Sequence, residues 1–507
     1  MSSLRFTLLT LICATSLRAV SVAPLFTDHA VLQQGAPVPV WGKGHPGEDV
    51  TVTFGSQVVH ATVDVDRNWR ATLAPLAASD TPADLVVVGK NTITLTDILV
   101  GEVWLCSGQS NMEFPFKWAA KTGREASTTN HPLIRHFGVT KSSSATPLDT
   151  VKGDWRICTP NEVREFTAVG YFFARELQQT LNVPIGLVNA SYGGTPVEAW
   201  MSDAGLKSDP AFSVVFDRIT KITQEWPATM AKYRADSEAW KKAETEAKAA
   251  GKKFTTPKPR QPIGPSHPYM PRMTYNAMLR PLVPYAIRGT IWYQGEGNST
   301  RASEYHRLFS ALITQWRAEW AQGEFPFYFV QLANFKADDP QGTQWAFLRE
   351  AQTKTLSVAN TGMAVTIDIG DPNDVHPRNK QDVGRRLARL ALARTYGKKD
   401  VIDSGPIFEQ ADFKTVAPSV RVEFQKSPAT LENNNPDNAA AVLGFELAGA
   451  DRVFHPADAQ IDRDVVIVKS SAVPAPIAVR YAWRNAPVAT LRNSAGLPAV
   501  PFRSDNW

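Results

Sequence analysis

Residues 104–114 read WLCSGQSNMEF, an apolar run that gives way without transition to a cluster of small polar residues centred on Ser110. An interior strand favours apolar residues on both faces, so the switch marks a strand that ends at a loop. The text on either side says what kind of strand. Between about Gly101 and Gly397, short apolar runs such as VPIGLVNAS (183–191), IRGTIWYQG (287–295), FPFYFVQLA (325–333) and MAVTIDIG (363–370) recur. They alternate with helical-period segments, VGYFFARELQQTL (169–181), YHRLFSALITQWRAEW (305–320) and DVGRRLARLALARTYG (382–397). Buried strands separated by helices imply an α/β layer architecture with a mostly parallel sheet. Ligands of such sheets sit at the carboxyl ends of the strands.

The flanks read differently. From residue 24 to 100, stretches such as APVPVWGKGHPGEDVTVTFG (36–55) alternate apolar with polar residues between Pro-Gly and Asp-Arg-Asn turns, and helical periods are absent. This predicts an N-terminal all-β unit of sandwich type. After residue 399 the alternation returns in SVRVEFQ, DVVIVKS and AVRYAW, so 399–507 is expected to form a second β-rich unit. Within the α/β unit, 101–398, the segment 223–262 is polar, rich in Ala, Lys and Glu, then rich in Pro. It reads as a solvent-facing helix followed by an extended linker, inserted over the surface.

With 507 residues, 43% of them hydrophobic and 20% charged, the chain has the composition of a folded globular protein. Residues 1–23 place Arg5 before the apolar stretch FTLLTLICATSL and then small residues, which is the pattern of a secretory signal peptide. Cleavage after Ala23 competes with cleavage after Ala19. The expected location is periplasmic or secreted, with no membrane anchor. Removing 1–23 takes away Arg5 and Arg18 and no acid, so the formal charge of +5 falls by two. That balance lacks the concentrated basic face of a nucleic-acid binder. Of the three cysteines, Cys106 and Cys158 remain. They could pair in an oxidising compartment, although two cysteines in so long a chain are more often buried small side chains.

Four loops end apolar runs: SGQSNM, NASYGGTP, WYQGEGNS and DIGDPNDVHP. They offer a hydroxyl at Ser110, flexible backbone amides at Gly193 and Gly194, a side-chain amide at Gln294 and an imidazole at His376. Together these are the parts needed for acyl transfer. A serine hydroxyl is a poor nucleophile until a base within hydrogen-bond reach takes its proton, and an imidazole can return that proton to a leaving alcohol. The oxyanion of the tetrahedral intermediate needs preorganised donors, and glycine lets backbone approach it closely. Each residue also has an ordinary role, in a turn, a cap or a backbone hydrogen bond; their joint occurrence at successive strand ends is what points to chemistry.

The combination of GEVWLCSGQSNMEFP, NASYGGTPVEAW, WYQGEGNS and DVHPRNKQDVGRRLA resembles the sialate O-acetylesterase family, a carbohydrate-esterase branch of the SGNH hydrolases, and the likeness covers nearly the whole chain after the leader. The resemblance implies a flavodoxin-like α/β core flanked by β-rich domains, with no metal and no cofactor. It puts Ser110 on the nucleophile and His376 on the general base. The oxyanion hole would then be formed by the N–H groups of Ser110 and Gly194 and by Gln294, which stands where many SGNH enzymes carry asparagine. The acid departs from the superfamily pattern, because the position three before His376 is Asn373. Asp374, Asp371 or a backbone carbonyl could orient the imidazole, and Asp374 is the favoured candidate. Glu296 and Asn298 are expected to support the site structurally, Glu113 either to shape its mouth or simply to bond its own loop, while Trp104, Trp292 and Tyr293 read as core. The expected substrate is an acetylated carbohydrate, either a plant polysaccharide fragment of xyloglucan or xylan type or an O-acetylated sialic acid. The competing reading is a non-catalytic carbohydrate-binding protein on an esterase scaffold. A Gly-x-Ser-x-Gly elbow is absent around Ser110, which disfavours an α/β-hydrolase.

Overall fold

A computed structural model describes residues 19–120, 122–415 and 418–507, so the expected leader falls outside the described residues except for 19–23. The organising element is the strand Thr92–Gly108. Its first half pairs antiparallel with Ser79–Val88 in the N-terminal β unit, and residues 99–101 run parallel to Val31–Gln33. From Glu102 onward the same strand lies between Ile185–Ser191 and Gly289–Tyr293, parallel to both. One continuous strand therefore joins the β unit to the α/β unit, and its free end carries Ser110.

Across the α/β sheet the order is Trp155–Cys158, His131–Gly138, Ile185–Ser191, Thr92–Gly108, Gly289–Tyr293, Phe327–Val330, Thr361–Ala364. Every neighbour pair is parallel except the first, where Trp155–Cys158 runs antiparallel to His131–Gly138. The chain fills one side of Thr92–Gly108 first, with Ile185–Ser191 returning last to the place beside it, and then builds outward on the other side. The carboxyl end of that central strand is thus the topological switch point, where a crevice opens.

Alternation along the central strands explains why apolar side chains fall on both of their faces. Trp104, Cys106, Ile291, Tyr293 and Tyr328 face the helices Ala168–Leu181 and Lys380–Leu390, while Leu105, Trp292, Phe327 and Phe329 face Ala302–Trp320. Both faces are covered, so each strand position is buried whichever way it points. Burying one such large side chain contributes about 1.5–3 kcal/mol. Cys106 and Cys158 are free buried thiols on strands separated by two others, which resolves their alternatives in favour of packing.

The insertion forms a helix that starts earlier than its polar composition suggested, Ser213–Ala249, with Val215 its buried residue. The chain then folds back, and Trp240 Nε1 donates to Thr256 O at 2.8 Å beside Phe254. Antiparallel sheets around Val420–Phe424 and Ala478–Tyr481 form the C-terminal unit. Fully buried Arg349 ties it to the core, donating to Leu332 O and Ala333 O on one side and to Arg484 O and Asn485 O on the other. Among the described residues, no helix is long and apolar enough to cross a membrane.

Candidate active site

The strand that carries Ser110 ends against its neighbour. Gly108 has φ +133°, and a Cβ there would lie 2.2 Å from Tyr293 O, so only glycine allows this approach. Gln109 is extended and Ser110 opens the short helix Ser110–Glu113. The Gln109 side chain clips the third loop by accepting from Gly297 N at 3.0 Å. Ser110 Oγ lies 2.8 Å from His376 Nε2, a contact between residues 266 apart in the chain. That is proton-transfer distance.

His376 arrives on a loop bent by its own side chains. Asp371 Oδ1 accepts from Asn373 N, and Asp374 Oδ1 accepts from His376 N, both at 2.9 Å. Such short Asx bonds replace regular backbone pairing. Asp374 Oδ1 also lies 3.9 Å from His376 Nδ1, within ion-pair range and beyond a hydrogen bond. Among the candidates for the acid, Asp374 is therefore the carboxylate that lies beside the imidazole, while the Asp371 carboxylate is engaged by Asn373. Burial and the Lys380 ammonium hold the His376 imidazole below its ordinary range, against the opposing pull of Asp374 and Glu113. The ring also stacks on Phe114, with centroids 6.4 Å apart.

The second loop supplies backbone donors. Gly193 lies against Ser110, and its N–H donates to Glu113 Oε2 at 2.7 Å. Gly194 has φ +79°, and a Cβ there would fall 1.9 Å from Tyr269 Oη. Among the described residues, no protein acceptor takes the N–H of Gly194 or that of Ser110, the first of its helix. These are two of the three expected oxyanion donors.

Gln294 does not join them. Its side chain is fully buried, with Nε2 donating to Asn298 Oδ1 at 2.8 Å and Thr195 O at 3.3 Å, and Oε1 accepting from Tyr305 Oη at 2.9 Å. Both amide hydrogens are spent inside the protein. A buried amide must satisfy its donors with whatever acceptors surround it, and here these knit the second and third loops together.

Three further residues shape the site without having stood out in the sequence. Trp118 is 57% exposed at the mouth of a cleft of about 320 Å³, lined also by Ser110, Phe114, Asp374, His376 and Arg378. Asn111, next to Ser110, is buried and donates to Glu296 Oε1 at 2.5 Å and Val375 O at 3.0 Å. Lys380 is fully buried and donates to Asn111 Oδ1 at 2.5 Å. Glu296 and Glu113 thus have the supporting positions expected of them. Glu113 is also paired with Lys141 at the rim, whose ammonium lies over the Tyr192 ring.

Acyl transfer from an ester is the chemistry open to a serine poised this way, with two uncommitted backbone donors at its side, and it puts the chain in the class of hydrolases. The model of a family described as "Carbohydrate esterase, sialic acid-specific acetylesterase" matches residues 100–254 and 266–393, a span that holds all four loops and skips only the extended stretch 255–265. The chain belongs to this family of carbohydrate O-acetylesterases. The sialate O-acetylesterase of Rattus norvegicus is 28% identical over 94% of this chain and 93% of its own length. That of Homo sapiens is 27% identical over 94% and 90%. Among solved structures, a carbohydrate acetylesterase from Xanthomonas citri is 39% identical, covers 96% of this chain and all of its own, and superposes with a TM-score of 0.81.

Proposed function

We propose that this protein is a serine esterase that removes O-acetyl groups from carbohydrates, with Ser110 as nucleophile and His376 as general base and acid. The observation that carries this reading is the 2.8 Å contact between Ser110 Oγ and His376 Nε2 at the floor of an open cleft. Ser110 attacks the acetyl carbonyl while His376 takes its proton, and the oxyanion is held by the N–H groups of Ser110 and Gly194. Collapse of the intermediate expels the sugar hydroxyl, protonated by His376. Water activated by the same imidazole then releases acetate. His376 has to be neutral to begin, which its burial favours.

The exposed Trp118 ring supports a sugar as the alcohol part, since an aromatic face at a wet rim suits the apolar face of a pyranose. Ile222 and Ile263, the residues on either side of 223–262, line a second small cleft with Gly194 and Tyr269; in this reading the substrate is an acetylated xyloglucan or xylan fragment or an O-acetylated sialic acid, and the segment tunes the choice between them. In this reading the core is of SGNH type, residues 24–100 and 399–507 are flanking β units, and the chain is exported. Val20 and Ala23 are buried and Ser21–Val22 pairs with Val38–Lys43, so cleavage after Ala19 would keep that edge strand intact.

Acetate release from acetylated xyloglucan and xylan oligosaccharides and from O-acetylated sialic acids, with Ser110→Ala alongside, tests the proposal. Release that is lost in the variant is the expected result, and the preferred substrate identifies the sugar. Saturable glycan binding without any acetate release would overturn it in favour of a binding protein.

A further inference from the structure

The two residues that do the chemistry in the proposed reaction come from loops 266 positions apart, and one buried side chain of the serine loop reaches the backbone of the histidine loop. Asn111 directly follows Ser110, and its Nδ2 donates to Val375 O, the carbonyl directly before His376, at 3.0 Å. The same Nδ2 donates to Glu296 Oε1 in the third loop at 2.5 Å. The remaining acceptor of the amide, Oδ1, takes a hydrogen bond from Lys380 Nζ at 2.5 Å. Asn111 is thereby used at both ends, and its rotamer is fixed with no exchange with water.

Lys380 is an unusual occupant of this place. Lysine is among the residues least often fully buried, and this one has no exposed surface at all. Its ammonium lies 4.7 Å from the centroid of the Phe114 ring and 5.4 Å from that of Tyr293. The ionisable groups facing it are Glu296, from the loop after Gly289–Tyr293, whose carboxyl burial pushes up from its ordinary range, and Asp374, from the histidine loop. If apolar packing were all that was needed, a methionine would fill the volume without burying a charge.

We propose that Lys380 is a positioning residue for the Ser110–His376 pair, acting through the Asn111 bracket and through the field of its buried ammonium. The inference rests on the acetylesterase reading. Mechanically, Lys380 holds Asn111 so that Asn111 can hold Val375, which sets where the imidazole stands relative to the hydroxyl. Electrostatically, a positive charge in a low-dielectric interior disfavours a second one nearby. His376 is faced by Lys380, Asp374 and Glu113, with Arg378 lining the same cleft, and of these Lys380 is the one that opposes its protonation most. Burial brings the Lys380 ammonium itself down to about 7, so it still carries charge over the acidic range in which His376 would take a proton.

The test compares Lys380→Gln, which keeps a donor for Asn111 and loses the charge, with Asn111→Ala, which keeps the charge and removes the bracket. Each is assayed for acetate release across pH, beside the wild type, with a thermal melt to confirm folding. For Lys380→Gln the acid limb of kcat/KM is expected to move to higher pH by about half to one unit. For Asn111→Ala the limb stays in place while kcat falls about tenfold or more, the cost of a misplaced reacting pair. An unmoved limb in folded Lys380→Gln would overturn the electrostatic part, and a near-wild-type kcat in Asn111→Ala the mechanical part. Should Lys380→Gln not fold, the Asn111→Ala result alone decides whether the bracket positions the pair. An inactive wild type would sink the acetylesterase reading itself, and this inference with it; an active wild type with unaltered variants would sink only the inference.

Discussion

The loop that presents Ser110 and the loop that presents His376 meet at one hydrogen bond but are built by opposite means. The serine loop is the end of a central strand, jammed against Tyr293 O at Gly108 and followed by Asn111, which is 1% exposed. The histidine loop is a turn at the surface, with the side chains of Asp374 and His376 44% and 38% exposed. One is located by the core and the other by short side-chain bonds to its own backbone, plus a few outside donors: Asn111 Nδ2 to Val375 O, Lys336 N to Pro372 O and Ala120 N to Arg378 O. The difference teaches where the site is adjustable. Moving the nucleophile requires disturbing the sheet, whereas moving the base requires only that a few loop contacts change.

If both loops are needed for one reaction, the largest effect comes from removing the hydroxyl. Ser110→Ala is expected to lower kcat by about 10³-fold or more with an unchanged thermal midpoint, because the side chain is not part of the packing. Gly108→Ala attacks the rigid side of the comparison. A Cβ 2.2 Å from a backbone oxygen at φ +133° cannot be accommodated by a side-chain shift, so the variant is expected to lose about 3 kcal/mol or more of stability, read from denaturant unfolding or from loss of soluble yield. A Gly108→Ala protein of ordinary stability would mean that the serine loop is as pliable as the histidine loop.

The adjustable side predicts smaller effects. Asp374→Asn keeps an oxygen that can accept from His376 N and removes the charge 3.9 Å from Nδ1. The expected loss in kcat is about tenfold, far below the roughly 10⁴-fold seen when an acid that hydrogen-bonds the imidazole is neutralised. A loss of the larger size would show that the carboxylate swings onto Nδ1 during turnover. The smallest effect is a displacement of the pH profile. Since the base must be neutral, activity falls as pH drops through the His376 pKa, and burial sets that limb below the ordinary value of about 6.5. Asp374 favours the imidazolium, so Asp374→Asn is expected to move the limb lower still. A kcat/KM profile with its acid limb above the ordinary histidine value would contradict this arrangement of charges.

The sheet was legible because burial on both faces leaves a mark: within IRGTIWYQG and FPFYFVQLA, the stretches IWY (291–293) and FYFV (327–330) put large apolar side chains at consecutive positions, on both faces, before the chain turns polar. The pairing of Ser110 with His376 followed from knowing that such loops gather at one edge. What the sequence could not convey was the use of side chains inside the protein. Gln294 reads as a free donor at a strand end, yet Asn298 and Tyr305, four and eleven residues on, consume its amide. Asp374 is the nearest carboxylate along the chain, but the bend that lets it accept from His376 N also keeps it off Nδ1. Lys380 carries no signal of its own in the sequence, where it is one residue of the stretch NKQDVGRRLA. Only the fold shows that this turn of helix points beneath the active site, where Asn111 waits for a donor.

The most direct test of the central claim is to look for the acyl-enzyme itself. The wild-type protein is quenched in acid during turnover of an acetylated oligosaccharide, digested, and its peptides are weighed. The account predicts a peptide containing Ser110 that carries one acetyl group, absent when Ser110→Ala is treated in the same way. Steady turnover with that peptide never modified, or an acetyl group on a different residue, would contradict it.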